Sequence, residues 1–262
     1  LAMAGAGMYV ESVKGECNYG QHEIVFRYAD ALTACDDHVV YKTGAKEIAA
    51  QEDMSITFMA KYDQREGNSC HIHLSLRDDN GGFVLAADDD PDGLSAVGRA
   101  FIAGQIAHMR DLSLLFAPNI NSFKRFVPGS FAPTAIKWGR DNRTCALRLV
   151  GHGPSLRLEN RAPGGDVNPY LAVAAMIAAG LDGIERDLPL EPAITGNAYQ
   201  VDTDRLPYSL NTALELWEAS DFVVEAFGEE VQHHYANMAR TELQAFGEAV
   251  TDWERFRGFE RL

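Results

Sequence analysis

The nine residues Asn68-Ser69-Cys70-His71-Ile72-His73-Leu74-Ser75-Leu76 decide how the rest of this sequence is interpreted. They alternate strictly, which predicts a β-strand with two unlike faces. One face is apolar and belongs against a hydrophobic core: Cys70, Ile72, Leu74 and Leu76. The other carries two imidazoles and a hydroxyl: His71, His73 and Ser75. Taken alone, this second face fits an ordinary solvated strand as well as the floor of a site.

Composition narrows the classes of protein. The 262 residues are 46% hydrophobic, enough for a substantial core in one large domain. The formal charge of −15 argues against nucleic acid or an anionic membrane as partner. The most apolar run, residues 171–181, is shorter than the roughly 20 residues that span a bilayer. The four cysteines form no CxxC motif, which indicates reduced thiols and a cytoplasmic protein.

Two carboxylates flank a predicted turn near the start of the chain. Residues 9–16 and 21–26 have extended patterns, and Asn18-Tyr19-Gly20 supplies the turn between them. Glu16 and Glu23 can therefore converge across a hairpin. A hairpin with surface carboxylates is the simpler explanation of these residues.

Arginines gather in the middle of the chain, although the protein as a whole is acidic. They are Arg125, Arg140, Arg143, Arg148, Arg157 and Arg161. In Arg157-Leu158-Glu159-Asn160-Arg161, a strand would place Arg, Glu and Arg on one face. This is either a surface salt-bridge ladder or a carboxylate metal ligand between two anion-binding guanidinium groups. The cluster favours binding of an anion.

The remaining pattern alternates between helices and strands. Helices are expected over residues 29–52, 94–115 and 170–184 and from Ser209 onward, with Asn168 as an N-cap. In the first of these helices we expect a buried stripe that includes Leu32 and Val40, and in the last Met238 in the core. Further strands are expected over residues 54–59, 135–138, 145–150 and 155–160.

Taken together, the chain resembles the glutamine synthetase family of the bacterial type I kind. The matching pieces occur in the family's order over nearly the whole chain. They are Glu16…Gly20-Gln21-His22-Glu23, His71-Ile72-His73-Leu74-Ser75, Asn121-Ser122-Phe123-Lys124-Arg125, Trp138-Gly139-Arg140-Asp141-Asn142-Arg143, Arg157-Leu158-Glu159-Asn160-Arg161-Ala162-Pro163 and Asn168-Pro169-Tyr170. The resemblance implies an α+β fold, with a curved, mainly antiparallel sheet and helices packed behind it.

The resemblance also implies a site with two or more divalent metal ions. Glu16 and Glu23 resemble the ligands of one ion, and His71 and Glu159 those of another. Carboxylates and an imidazole suit Mg²⁺ or Mn²⁺.

Other residues resemble the family's substrate contacts. The implied nucleotide contacts are His73, Ser75, Arg148, Arg157 and, packing on adenine, Tyr28. Arg125 and Arg161 resemble the residues that hold glutamate, and Gly67 lies at its amino end. Arg143 and Arg125 are the implied catalytic residues, since Arg143, with Arg148, resembles the groups that stabilise the transferring phosphoryl group.

Two substitutions lie in the implied substrate pocket. Ammonia-using relatives carry a flap glutamate in a Gly-Tyr-Glu-Ala-Pro-like run, where this chain has Gly129-Ser130-Phe131-Ala132-Pro133. The family's Asn-Gly pair before the histidine strand is Glu66-Gly67 here. Phe131 offers an apolar surface and Glu66 a carboxylate, a combination that favours an organic amine such as a polyamine or ethanolamine.

The sequence therefore predicts an ATP-dependent ligase that joins glutamate to an amine through γ-glutamyl phosphate. The alternatives are a glutamine synthetase that uses ammonia and a non-catalytic structural member of the family. We expect residues 1–262 to be the carboxy-terminal part of the catalytic domain, without the family's amino-terminal β-grasp domain and first catalytic strand. The resemblance further implies a homo-oligomer with dodecamer-like rings.

Overall fold

The computed structural model describes residues 1–261, which form an α+β fold. The strands are β1 (Val10–Gly15), β2 (His22–Phe26), β3 (Ile72–Leu74), β4 (Ala135–Arg140), β5 (Cys145–Val150) and β6 (Arg157–Asn160). The helices are α1 (Ala2–Gly5), α2 (Ala31–Gln51), α3 (Ala96–His108), α4 (Ser113–Phe116), α5 (Pro169–Glu185), α6 (Leu210–Ala219), α7 (Asp221–Phe227), α8 (Glu229–Glu248) and α9 (Asp252–Gly258). Short 3₁₀ turns lie at Ser122–Arg125, Gly153–Ser155 and Ala198–Gln200.

A four-stranded sheet in the order β3-β6-β5-β4 forms the centre of the protein. Its β3–β6 and β6–β5 pairs are antiparallel, and only β5–β4 is parallel. The predicted α+β class with a mainly antiparallel sheet is therefore confirmed. Strands β1 and β2 form a separate antiparallel hairpin.

The strand register decides which side chains meet on the polar face. His73 lies opposite Glu159, and Glu159 lies opposite Arg148 on its other side. Because directly opposed residues of antiparallel strands have neighbouring side chains, an imidazole, a carboxylate and a guanidinium form one row across the sheet.

The prediction that one face of the histidine strand lies against the core is also confirmed. Ile72 and Leu74 pack against the main core, which includes the fully buried Trp138, Leu147 and Leu158. The regular strand is shorter than predicted, however, because its partner β6 spans only Arg157–Asn160.

Helices α3 and α5 pack tightly against each other behind the sheet. A Cβ atom on Gly104 would lie 2.0 Å from the Ala179 carbonyl oxygen, so only glycine allows this approach. Asn168 caps α5 as predicted, and its side chain accepts hydrogen bonds from the backbone amides of Tyr170 and Leu171. The two helices thus form a rigid backing for the sheet.

Some predicted elements were wrong. Residues 54–59 form no strand; the Met59 carbonyl instead accepts a hydrogen bond from the Asn68 side chain. The helix predicted over residues 94–115 is interrupted after His108, where the Ser113 hydroxyl bonds to the Arg110 carbonyl and competes with helical bonding.

Three residues expected in the core are exposed. Leu32 is 69% exposed, Val40 50% and Met238 53%. Helical periodicity identifies an apolar face but not whether another element covers it. In the part of the chain that the structure describes, no helix is both long and apolar enough to cross a bilayer.

Candidate active site

Glu159 is the central charge of the sheet's polar face. Its side chain is only 2% exposed, and its Oε1 accepts a hydrogen bond from Arg161 Nη1 at 2.6 Å. Arg148 Nη1 donates to Oε2 at 2.9 Å, and His71 Nδ1 lies 3.1 Å from Oε1. Burial alone would raise the pKa of Glu159, but the contact with His71 and the Arg161 charge outweigh it and hold that pKa well below its ordinary range. The carboxylate is therefore ionised at neutral pH.

His71, just before β3, and His73, within β3, can both act as neutral bases. Burial lowers the pKa of His71 to about 4, so its ring is uncharged at neutral pH and can offer a nitrogen lone pair. Burial likewise lowers the pKa of His73, whose Nδ1 lies 3.3 Å from Arg157 Nε. Ser75 follows β3 and is exposed.

The predicted convergence of Glu16 and Glu23 is present on the β1–β2 hairpin. Lys14 Nζ lies 3.2 Å from Glu16 Oε1 and 3.1 Å from Glu23 Oε2. The pKa of Glu16 is lowered chiefly by its hydrogen bond with Glu23 and also by Lys14. One cation thus lies between two hard oxygen donors, the donor type that Mg²⁺ and Mn²⁺ prefer.

The candidate metal ligands converge as two pairs. Among residues 1–261, no three His, Cys, Asp or Glu side chains meet as a metal-ligand group. In the sheet, arginines and His71 already occupy the oxygens of Glu159. The donor types fit a divalent ion, and the assignment of these four residues as metal ligands stays a prediction.

Two buried arginines carry hydrogen-bond donors that are not used. Arg125 is 1% exposed; its Nη1 donates to Ser69 Oγ at 3.1 Å, and its Nη2 bonds the Ala162 carbonyl. Burial lowers the pKa of Arg125 to about 10, so it stays charged at neutral pH. Among the described residues, the buried Nε atoms of Arg125 and Arg161 have no hydrogen-bond partner. An unpaired buried donor is costly, so the Nε atoms of Arg125 and Arg161 have unused hydrogen-bonding capacity.

The Glu66-Gly67 segment is held against the hairpin turn. Asn18 Nδ2 donates to the Glu66 carbonyl at 3.2 Å, and Gln21 Nε2 donates to the Gly67 carbonyl at 3.0 Å. A Cβ atom on Gly67 would lie 2.5 Å from Arg125 Cγ. Gly67 therefore has to be glycine for Arg125 to occupy its position.

The candidate flap, residues 128–133, lies against Arg161. Phe131 is 58% exposed and has a positive φ of 59°, which is uncommon for a residue other than glycine. Its carbonyl accepts a hydrogen bond from Arg161 Nη2 at 3.1 Å. One arginine therefore contacts both the flap and the central carboxylate.

The other predicted contacts lie at the edges of this face. Arg143 lines an open cleft of about 690 Å³ together with Arg140, Asp141 and Thr195. Tyr28 is 75% exposed, and the Arg27 guanidinium lies 5.9 Å from its ring. The structure thus gathers His71, His73, Arg148, Arg157, Glu159 and Arg161 directly on the sheet. It brings Glu16 and Glu23 together on the hairpin.

Sequence reasoning missed several partners of these residues. Asp141, with a positive φ of 49°, holds Arg148 through Nε at 2.9 Å. Lys14 bridges the hairpin carboxylates, and Tyr199 binds the flap. Of these three residues, only Asp141 lies within a motif that the family resemblance identifies. No periodicity points to Lys14 or Tyr199.

The sheet thus has a polar face with one buried carboxylate, neutral imidazoles and several arginines, a set of groups suited to binding anions. The family comparison is more specific. Residues 1–257 match the family model described as glutamine synthetase, catalytic domain, and the chain belongs to this family.

Two relatives are longer proteins that share this region. The chain is 65% identical over 260 residues to a gamma-glutamylethanolamide synthetase of Streptomyces coelicolor, covering 99% of this chain and 56% of the relative. It is 42% identical to a glutamate–isopropylamine ligase of a Pseudomonas species, covering 97% and 57%. The chain therefore spans a little over half the length of these relatives.

A solved structure supports the same fold. The GmaS/ADP complex in its conformation 1 superimposes with a TM-score of 0.90 at 33% identity. The match covers 98% of this chain and 61% of that chain. The chain thus shares its fold with this solved structure.

Proposed function

We propose that the protein is an ATP-dependent ligase that joins the γ-carboxylate of glutamate to an organic amine. The observation that carries the proposal is the pair of buried guanidinium groups of Arg125 and Arg161, whose Nε atoms have no hydrogen-bond partner among residues 1–261. Arg161 also binds the ionised Glu159. Such donors suit a carboxylate substrate, and the acidic chain concentrates its positive charge there. The names of the two relatives support this reaction class.

A carboxylate resists attack by an amine because its leaving group is poor. Phosphorylation by ATP removes this obstacle by forming γ-glutamyl phosphate. Arg125 and Arg161 would orient glutamate, while Arg143 and Arg148 would offset negative charge on the transferring phosphoryl group. His73, Ser75, Arg157 and Tyr28 are the proposed nucleotide contacts.

Glu16, Glu23, His71 and Glu159 are the residues that would hold divalent ions, Mg²⁺ or Mn²⁺. When bound, such ions neutralise phosphate charge and orient the phosphates. His71 suits this role because its ring is neutral at physiological pH. Glu159 suits it because its carboxylate remains ionised.

The nature of the amine follows from the flap. Phe131 places an apolar ring where ammonia-using relatives carry a carboxylate, and a ring can pack on the methylenes of an alkylamine. By the family resemblance, Glu66 adds a carboxylate near the other end of the pocket, where it would pair with a cation. The two relatives named above are called ethanolamide and isopropylamine enzymes, which supports an organic amine over ammonia. Ammonia remains the competing substrate, since a relative of Halobacterium salinarum that is 36% identical is called a glutamine synthetase.

Three further features belong to this proposal. Residues 1–262 correspond to the carboxy-terminal part of a glutamine synthetase catalytic domain. The active protein is a homo-oligomer with dodecamer-like rings, as the family resemblance implies. The cytoplasm is its compartment, because the cytoplasm supplies ATP and keeps free thiols such as those of this chain reduced.

The test is a comparison of amines in the full-length protein. We expect kcat/KM for ethanolamine, isopropylamine or putrescine to exceed that for ammonia, measured by phosphate release with glutamate and ATP. The Phe131→Glu variant should shift the ratio toward ammonia. A wild-type preference for ammonia would refute the organic-amine proposal.

A further inference from the structure

The backbone of the flap, residues 128–133, is held by side chains on both sides of its tip. Ser130 Oγ donates to the Val127 carbonyl at 2.7 Å, and Arg161 Nη2 donates to the Phe131 carbonyl at 3.1 Å. On the far side, the Tyr199 hydroxyl donates to the Ala132 carbonyl at 2.8 Å. Adjacent carbonyls of the flap thus bind two different parts of the protein.

The tip has a backbone conformation that needs such support. Phe131 has a φ of 59°, a left-handed conformation that is strained for a residue other than glycine. The Phe131 side chain is 58% exposed, so packing of its ring contributes little to holding the conformation. The hydrogen bonds to the Phe131 and Ala132 carbonyls therefore restrain the tip, together with the burial of Ala132 and Pro133.

Tyr199 has a fixed position that does not depend on the flap. It lies in the 3₁₀ turn Ala198–Gln200, whose first amide donates to Thr144 Oγ1 at 2.9 Å. The Arg205 Nη2 donates to the Tyr199 carbonyl at 3.1 Å. Burial raises the pKa of Tyr199, so its hydroxyl keeps the proton that it donates to Ala132.

The neighbours of Tyr199 connect it with the candidate site. Arg161, whose Nε has no partner among the described residues, binds the Phe131 carbonyl next to the carbonyl that Tyr199 binds. If a ligand anion draws the Arg161 guanidinium toward itself, the bond to Phe131 weakens. The bond from Tyr199 then remains to hold the flap in place.

We propose that Tyr199 is a positioning residue that keeps the flap closed while the acyl phosphate is present. This inference rests on the proposed ligase function. Attack by the amine nitrogen breaks the acyl carbon–oxygen bond, forms the amide and releases phosphate and a proton. Attack by water breaks the same bond and returns glutamate and phosphate. Flap position decides between these two outcomes because it excludes water.

The test is the Tyr199→Phe variant of the full-length enzyme, which removes one hydroxyl. We expect the amount of γ-glutamyl amide formed per ADP to fall and the ratio of hydrolysis to amide formation to rise about fivefold. That factor corresponds to the loss of about 1 kcal/mol, the net contribution of one neutral hydrogen bond. KM for ATP should not change, which separates flap positioning from a general loss of structure.

Hydrogen exchange provides a second measurement that does not depend on turnover. Amides of residues 129–132 should exchange faster in Tyr199→Phe, whereas those of α3 and α5 should not change. Tyr208→Phe is the matched control, since Tyr208 is 83% exposed. The control should leave both the product ratio and flap exchange at their wild-type values.

The outcomes separate this inference from the proposed function. An active wild-type enzyme with an unchanged product ratio in Tyr199→Phe would overturn the inference, as would unchanged flap exchange. A wild-type protein that makes no γ-glutamyl amide from any amine would overturn the proposed function and, with it, the role of Tyr199 in partitioning the acyl phosphate.

Discussion

The sheet and the β1–β2 hairpin both carry candidate metal-binding carboxylates, but these carboxylates differ in their exposure to solvent. The Glu159 side chain on the sheet is 2% exposed, whereas those of Glu16 and Glu23 on the hairpin are 32% and 43% exposed. Glu159 is bound by two arginines and a histidine, while the hairpin pair shares one flexible lysine.

The difference shows that one half of the candidate site is part of the folded core. A buried carboxylate must be paired or its desolvation destabilises the protein. Arg148 and Arg161 therefore serve the stability of the fold as well as the proposed chemistry. A solvated carboxylate has no such requirement, so the hairpin can hold its two acids with a replaceable cation.

The largest expected effect is that of Glu159→Gln. Loss of this charge leaves the buried Arg161 without its carboxylate partner and leaves Arg148 with Asp141 alone, which should lower the free energy of unfolding by about 3–5 kcal/mol. Phosphate release should fall at least about 100-fold, as for loss of a group that stabilises transition-state charge. Urea denaturation and a phosphate assay measure the two effects.

The matched control for that variant is Glu218→Gln. Glu218 pairs with Arg240 away from the sheet, and its side chain is 34% exposed. We expect little change in either stability or turnover. A folded Glu159→Gln protein with wild-type turnover would show that this carboxylate has no part in the reaction.

A second expected effect is on stability as a function of pH. Burial and the nearby Lys42 lower the pKa of His38, which packs 3.9 Å from Cys70 beneath the sheet, to about 4. The unfolded chain binds this proton near pH 6.5 and the folded chain does not, so stability decreases as pH falls from about 6.5 to about 4. The contribution of His38 is at most about 3 kcal/mol.

Urea denaturation of the metal-free protein between pH 7.5 and 4.5 measures this dependence. His38→Gln should remove part of this pH dependence of stability. The rest should remain in the variant, because the pKa of His71 is also lowered to about 4. Equal pH dependence in the variant and the wild type would contradict the assigned burial of His38.

The smallest expected effect on stability is that of Glu23→Gln on the hairpin. Its exposed pair with Lys14 should change the free energy of unfolding by no more than about 0.5 kcal/mol. Mn²⁺ affinity should nevertheless fall at least about tenfold if Glu23 binds a metal ion directly. Glu11→Gln on the neighbouring strand β1 is the control, and equal Mn²⁺ affinity in all three proteins would remove Glu23 from the metal site.

The residues that could be identified from the sequence are those whose positions follow from patterns within a few neighbouring residues. Alternation placed Ile72 and Leu74 on the core side of the histidine strand. The Arg-Glu-Arg spacing placed Glu159 beside Arg161, but its second arginine partner is Arg148 and not Arg157. Asn168 was recognisable as a helix cap because its partners are the next few amides.

The features that the sequence could not predict depend on contacts between distant parts of the chain. Tyr199 reaches the flap across 67 positions of sequence, and Asn18 reaches Glu66 across 48. Residues 54–59 have a strand-like composition, but no strand pairs with them in the part of the chain that the structure describes. Local pattern cannot supply a partner strand or reveal which face of α2 is covered.

The most direct test of the account is a competition between amines. The full-length protein is incubated with glutamate, ATP, Mg²⁺ and equal concentrations of ammonium and ethanolamine, and the products are identified by mass spectrometry. We expect γ-glutamylethanolamide to predominate over glutamine and formation of either product to require ATP. Glutamine as the main product would contradict the organic-amine assignment, and the absence of both products, with other amines also unreactive, would contradict the ligase itself.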